Sequence, residues 1–168
     1  MRNEGIFPFG QFPVLKVDGK TIAQTGAIAR FCGKLSGLYP KNNDYYAAKV
    51  DEVIDLATDI THKIRPALKE KDPEKSKDMR RDLTDDVLPQ WLGFLEILLE
   101  KNCKTGYFVN NYLTIADLAA WRLCGWISGG VIDGIPEKIL DALPLLKEHQ
   151  NHISNLPKVA DWLDKNRK

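Results

Sequence analysis

Hydrophobic residues recur at helical spacing through most of this chain, and this periodicity constrains its fold more than any other feature. The pattern is clearest from about Asp44 to Leu68 and from about Pro73 to Lys101, and Asp72-Pro73 separates the two stretches. Pro89 lies inside the second stretch and should kink it, because proline removes one hydrogen bond of a helix. The sequence therefore predicts a mostly α protein, with helices over about 44–68, 73–101, 114–128, 137–150 and 157–166.

A short β segment precedes these helices. Pro13 to Val17 and Thr21 to Ala23 read as strands, and Asp18-Gly19 between them is a strong hairpin signal. From Gly26 the period becomes helical, with one apolar face, and Gly37 is placed to end this helix. A hairpin with a single helix is marginally stable in water, so further structure is expected to precede it. The apolar residues of this helix face are Ala27, Ile28, Phe31 and Leu35.

Charge and cysteine content exclude several classes of protein. The chain has 24 basic and 23 acidic residues in mixed order, so no basic face is expected for nucleic acid. It contains no apolar run long enough to cross a membrane, and no signal peptide at its start, so no membrane partner is expected. The 3 cysteines lack disulfide or zinc spacing, which favours a reducing compartment and a cytoplasmic location.

No metal site is predicted. His149 and His152 share a helix face, but no third ligand stands near them in sequence, so both are expected to be surface residues. Cys32 is expected to be buried on the helix that follows Thr25.

Two pairs of motifs occur together in this chain. The first pair consists of Phe9-Gly10-Gln11-Phe12-Pro13-Val14-Leu15 and Gln24-Thr25-Gly26-Ala27-Ile28-Ala29-Arg30-Phe31. The second pair consists of Gly106–Val109 and Leu113–Leu118. Through them the chain resembles the glutathione S-transferase family over essentially its whole length, and the first pair is similar to the sigma-like branch. The resemblance implies a partial thioredoxin-like β-β-α unit (1–37), a linker (38–43) and an all-helical C-terminal domain (44–168). It also implies that the strand, helix and strand that open the family's fold are lacking.

The resemblance further implies a glutathione site formed by Gln11, Phe12, Pro13, Gln24 and Thr25. In the family, the proline that matches Pro13 follows a cis bond, which turns the main chain of Phe12 towards the cysteinyl residue of glutathione. Gln24 and Thr25 precede a helix whose N-terminus favours the γ-glutamyl carboxylate, and Gln11 adds a contact. From the residues alone, Pro13 would simply open a strand and Thr25 would be an N-cap. A capping role for Thr25 is compatible with glutathione binding as well as with a purely structural function.

Two acidic residues of the helical domain also match positions in the family. Asp59 lies where related proteins lend a carboxylate across a homodimer to the glutamyl ammonium, although a charge on an amphipathic helix is also ordinarily solvated. Asp117 matches the family's helix cap together with Thr114, and this cap is worth roughly 1 kcal/mol of stability.

No catalytic residue is assigned. The reaction uses glutathione as substrate in its thiolate form, and a free cysteine thiol has a pKa of about 8.5. The sigma-like branch lowers that pKa with a tyrosine near the end of its first strand, which is expected to lie ahead of Met1. The chain is therefore interpreted as a glutathione S-transferase that conjugates small apolar electrophiles when complete and is inactive alone. The alternatives are a non-catalytic interaction module of the same fold, or a carrier of apolar ligands in a pocket lined by Trp121 or Trp126.

Overall fold

The computed structural model describes residues 7–102 and 105–166. Expectations that concern Cys103, or the outer ends of the two predicted domains, lie outside these residues. Within them the protein is mostly helical, with one antiparallel pair of strands near its start. The fold class predicted from the sequence is confirmed.

The predicted hairpin is formed by β1 (Val14–Val17) and β2 (Lys20–Ala23), with Val14 opposite Ala23. The turn residues Asp18 and Gly19 have φ angles of 47° and 77°. Two consecutive positive φ angles belong to the tight turn whose twist matches that of the flanking strands, which is why Asp-Gly favours a hairpin here.

The helix α1 (Thr25–Ser36) ends at Gly37, whose φ of 76° is left-handed and whose N–H bonds to the Gly33 carbonyl. Its predicted apolar face is not the one that meets the helical domain, and Leu35 is 73% exposed. The contact is made instead by small residues, because a Cβ atom on Gly33 would lie only 2.7 Å from the Ile115 side chain. Small side chains thus let α1 approach the helices closely.

Three helices follow the linker: α2 (Asp44–Lys69), α3 (Pro73–Asp82) and α4 (Leu88–Lys101). Side chains of Asn43 and Asp72 cap α2 and α3 by accepting backbone N–H groups. The stretch predicted as one helix from Pro73 to Lys101 contains a π-helical turn over Leu83–Val87, which ends two residues before Pro89. Proline cannot donate the usual bond, and a wider turn is one way for a helix to accommodate that loss.

The remaining helices are α5 (Ile115–Ile127), α6 (Pro144–Ser154) and α7 (Pro157–Asn166). The prediction of one helix from Glu137 to Gln150 is wrong. A 3₁₀ helix occupies Glu137–Ala142, and α6 starts anew at Pro144. The residue before a proline is disfavoured in the helical region, and Leu143 accordingly has φ of −127° and ψ of 76°.

The hydrophobic core lies between α2, α4, α5 and α6, where apolar residues from each helix are fully buried. Helix α5 runs through the middle of the domain and packs most extensively against α2. No helix of the described residues is long and apolar enough to span a membrane. The largest fully buried side chains are those of Ile60, Ile64, Leu88, Leu92, Leu95, Ile127, Leu146 and Ile153.

Candidate functional site

A cleft of about 770 Å³ separates the β-β-α unit from the helical domain. This volume lies within the range of small-molecule sites. One wall consists of the segment before β1 together with α1, and the other consists of α2 and α5. The cleft is therefore formed where the two predicted domains meet.

The segment before β1 presents its main chain to this cleft. The Phe12–Pro13 peptide bond is cis, as the resemblance implied, and Gln11, Phe12 and Pro13 all line the cleft. Phe12 is 76% exposed, and its ring meets Phe7 edge to face at 4.7 Å between centroids. Within the described residues, no intramolecular hydrogen bond uses the backbone N–H or carbonyl of Phe12. Both groups are available to a peptide-like ligand.

The start of α1 forms the neighbouring part of the same wall. Gln24 has φ of 76° and ψ of 127°, a conformation that costs a residue with a side chain about 1–3 kcal/mol. The prediction that Thr25 is the N-cap is wrong, because Gln24 occupies the cap position, without a side-chain bond, and Thr25 is the first helical residue. The Thr25 hydroxyl has no intramolecular partner in the described structure. The first turn also lacks an acidic residue, so this helix start can accept an external carboxylate.

A network of charged side chains holds α1 in this position. Arg30 donates from Nε to Asp51 at 2.6 Å and from its terminal nitrogen to Asp55 at 2.7 Å. The Tyr39 hydroxyl donates to the second oxygen of Asp51 at 3.0 Å. Burial, together with this hydrogen bond, raises the pKa of the Tyr39 hydroxyl. Because the network joins α1 to α2, it fixes the spacing between the two walls of the cleft.

The structure corrects the prediction for Cys32 and places one of the two tryptophans proposed for the cleft in its lining. Cys32 is exposed and lines the cleft, although it was expected to be buried. Trp126 also lines the cleft, whereas Trp121 does not and instead donates from its indole nitrogen to the Ser154 hydroxyl at 2.9 Å. Asp59 is exposed on α2 and lies outside the lining of its own cleft, so its predicted role across a dimer stays a prediction.

Comparison with known proteins identifies the family. The family model described as the C-terminal domain of glutathione S-transferase matches residues 58–166 of this chain. The chain belongs to the glutathione S-transferase family.

Individual relatives agree with this assignment. A glutathione S-transferase of Plasmodium yoelii yoelii is 33% identical over 167 residues, which cover 96% of this chain and 71% of the relative. The structure of prostaglandin synthase D of Nilaparvata lugens superposes with a TM-score of 0.84 at 28% identity, covering 96% of this chain and 77% of that one. A monomeric glutathione S-transferase of Necator americanus superposes with a TM-score of 0.75 at 32% identity, with coverage of 96% and 77%.

These similarities favour the glutathione S-transferase interpretation over a non-catalytic module of the same fold. The sequence had already pointed to Gln11, Phe12, Pro13, Gln24 and Thr25, and the structure brings these residues together along one wall of the cleft of this glutathione S-transferase. On the opposite wall, sequence reasoning proposed Trp126 but missed three basic side chains: His62, Arg65 and Arg122.

The two histidines of α6 lie outside the cleft lining. His149 is buried, not at the surface as predicted, and its Nε2 lies 3.2 Å from Oδ1 of Asp117. His152 is exposed, as predicted, and meets the Tyr107 ring at 5.1 Å. Within residues 7–102 and 105–166, no group of three His, Cys, Asp or Glu residues is placed to hold a metal ion.

Proposed function

We propose that this glutathione S-transferase binds glutathione along the wall formed by Phe12 and the start of α1. In this arrangement, the N–H and carbonyl of Phe12 pair with the cysteinyl main chain, as an added strand pairs with a sheet edge. The γ-glutamyl carboxylate lies at the Thr25 hydroxyl and the first N–H groups of α1. Gln11 and Gln24 line the cleft on either side of these contacts.

One observation carries this proposal. Phe12 has an unpaired backbone, Thr25 has an unpaired hydroxyl at a helix start without an acidic residue, and both open into the same cleft. Exposed polar groups that are unpaired in the free protein and converge on one cleft suit a ligand with both peptide and carboxylate groups. Glutathione carries both.

We assign to the protein the family's reaction, in which the glutathione thiolate attacks a small apolar electrophile. The apolar part of the cleft, which includes Leu118, Leu123 and Trp126, is suited to such a second substrate. We place the protein in the sigma-like class. In this class, a tyrosine on the opening strand–helix–strand activates the glutathione thiol.

We further propose a homodimer formed through α2, in which Asp59 reaches the glutamyl ammonium in the partner's cleft. Its exposure on α2, outside its own cleft, is compatible with that role. A cytoplasmic location is consistent with the free thiols of Cys32 and Cys124.

Calorimetric titration of glutathione into matched threonine variants tests the site. Thr25→Val removes the unpaired hydroxyl with little change in shape, and we expect about tenfold weaker binding, since a hydrogen bond to a charged group contributes about 1.5 kcal/mol or more. Thr61→Val is the control, because Thr61 also lines the cleft but its hydroxyl already donates to the Ala57 carbonyl at 2.9 Å. Equal affinities for the two variants, or no binding to the unmodified chain, would contradict the proposal.

A further inference from the structure

Two arginines on the helical wall of the cleft have no charged partner among the residues that the structure describes. Within the described residues, Arg30, Arg80 and Arg81 each lie within 3.0 Å of an aspartate oxygen. Among the described residues, the side chains of Arg65 and Arg122 make no ion pair and no intramolecular hydrogen bond, and both line the cleft. The described lining contains no aspartate or glutamate. This part of the cleft therefore carries an uncompensated positive charge.

The arginines lie away from the proposed glutathione site. A Cβ atom on Gly26, next to Thr25, would lie 3.5 Å from Ile54, so the start of α1 is level with Ile54 on α2. Arg65 lies about 16 Å farther along α2, at 1.5 Å of rise per residue. On α5, Arg122 lies about 10 Å along the helix from Ile115, which packs against Gly33 in the second half of α1. A fully extended tripeptide spans only about 10 Å, so glutathione anchored at Thr25 leaves this end of the cleft to another ligand.

Apolar side chains of the cleft lining lie one helical turn from each of the two arginines. Leu68 follows Arg65 by one turn of α2, and Leu118 and Trp126 lie one turn before and after Arg122 on α5. A guanidinium group stays charged at any physiological pH and can hold a carboxylate with two parallel hydrogen bonds. An apolar surface with a fixed cationic end is complementary to an amphipathic anion.

We propose that Arg65 and Arg122 select an electrophile that carries a negative charge on an apolar body, such as a reactive fatty-acid derivative with a free carboxylate. This deepens the proposed function, since it specifies the class of the second substrate. The carboxylate binds the arginines while the apolar body lies along Leu118 and Trp126 towards the glutathione end. Uncharged electrophiles of the same size bind more weakly, because they leave the guanidinium groups without a partner.

Decanoate and decan-1-ol, unreactive ligands of equal chain length, separate the charge from the apolar contact. Calorimetric titration should show that the unmodified chain binds decanoate more tightly. Arg65→Gln and Arg122→Gln should each weaken decanoate binding roughly fivefold, as expected for one partly exposed ion pair, and leave decan-1-ol unaffected. Arg65→Lys should retain most of the preference for decanoate. Arg81→Gln, on α3 and outside the cleft lining, is the matched control and should change neither affinity.

Salt provides a test that needs no variant. At about 1 M ionic strength, where charges are screened beyond about 3 Å, only decanoate binding should weaken. Absence of decanoate binding, equal affinity for the two ligands, or equal loss of both in the arginine variants would overturn the inference. Glutathione binding distinguishes this failure from that of the proposed function: glutathione bound normally with no preference for decanoate refutes only the role of the arginines. Decanoate selected without glutathione binding refutes only the glutathione site.

Discussion

Replacing Asp117 by alanine should cost this protein several times what a lost helix cap costs. The carboxylate is completely buried. One oxygen accepts the Phe108 N–H at 2.8 Å and lies 3.2 Å from Nε2 of His149. The other accepts the Thr114 N–H at 2.7 Å and the Thr114 hydroxyl at 2.9 Å. Asp117 thus joins the start of α5 to the preceding loop and to α6.

The magnitude follows from the groups left without a partner. Alanine would deprive the buried N–H groups of Phe108 and Thr114 of their acceptor, and each such group costs about 1–3 kcal/mol. We therefore expect Asp117→Ala to lower the free energy of unfolding by about 4 kcal/mol, against about 1 kcal/mol for a cap alone. A typical domain has only about 5–15 kcal/mol of stability, so this single change removes a large share.

Urea unfolding followed by circular dichroism measures this loss, provided that the dependence on urea stays the same in the variant. Asp133→Ala is the matched control, because the Asp133 carboxylate is exposed and, among the described residues, pairs with Arg80 alone, at 2.7 Å. The control should leave the unfolding midpoint nearly unchanged. A loss of only about 1 kcal/mol in Asp117→Ala would show that the carboxylate acts as a local cap and that its contacts with Phe108 and His149 contribute little.

Three further predictions follow from the same structure. An alkylating reagent should label Cys32 but not Cys124, because burial raises the pKa of the Cys124 thiol to about 12. S-methylglutathione should slow the labelling of Cys32, and peptide mass spectrometry measures both effects. Lys75 and two backbone N–H groups lower the pKa of Glu70 from 4.5 to about 2, so the stability that Glu70 contributes is complete above pH 4.5 and is lost as the pH falls to about 2. An NMR titration of its carboxyl carbon should give that midpoint, and a midpoint near 4.5 would contradict it. Sedimentation velocity should show a dimer, whereas a monomer would refute the proposed homodimer.

Local chemistry made much of the fold predictable from the sequence. Asp18-Gly19 permits the positive φ angles of a tight hairpin turn, and Gly37 permits the left-handed end of α1. Asp72-Pro73 combines a capping side chain with a residue that suits the first turn of a helix. Each of these signals depends on neighbours in sequence, so the predictions hold without knowledge of the tertiary structure.

Predictions that depended on distant residues were less reliable. His149 is buried because α6 packs beside Asp117, and no spacing within α6 indicates that contact. Cys32 is exposed because α1 meets the helical domain through its glycine and alanine face, which hydrophobicity alone does not reveal. Thr25 is helical and not a cap because the strained backbone of Gln24 starts the helix one residue earlier.

The two walls of the candidate site differ in the same way. The wall with Phe12 and Thr25 was found through its resemblance to a family motif, because its residues are close in sequence. Arg65 and Arg122 on the other wall were missed, since charged residues on amphipathic helices are usually solvated and only the packing of α2 on α5 places both in the cleft. The absence of acidic partners in the described lining became evident only in three dimensions.

The proposed glutathione site lies between the main chain of Phe12 and the start of α1. An NMR titration of the ¹⁵N-labelled chain with glutathione tests it at both ends. We expect the largest amide shifts at Phe12, Thr25 and Gly26, with the amides around Gly134 unchanged. Saturable shifts that avoid the start of α1, or no shifts at all, would contradict it.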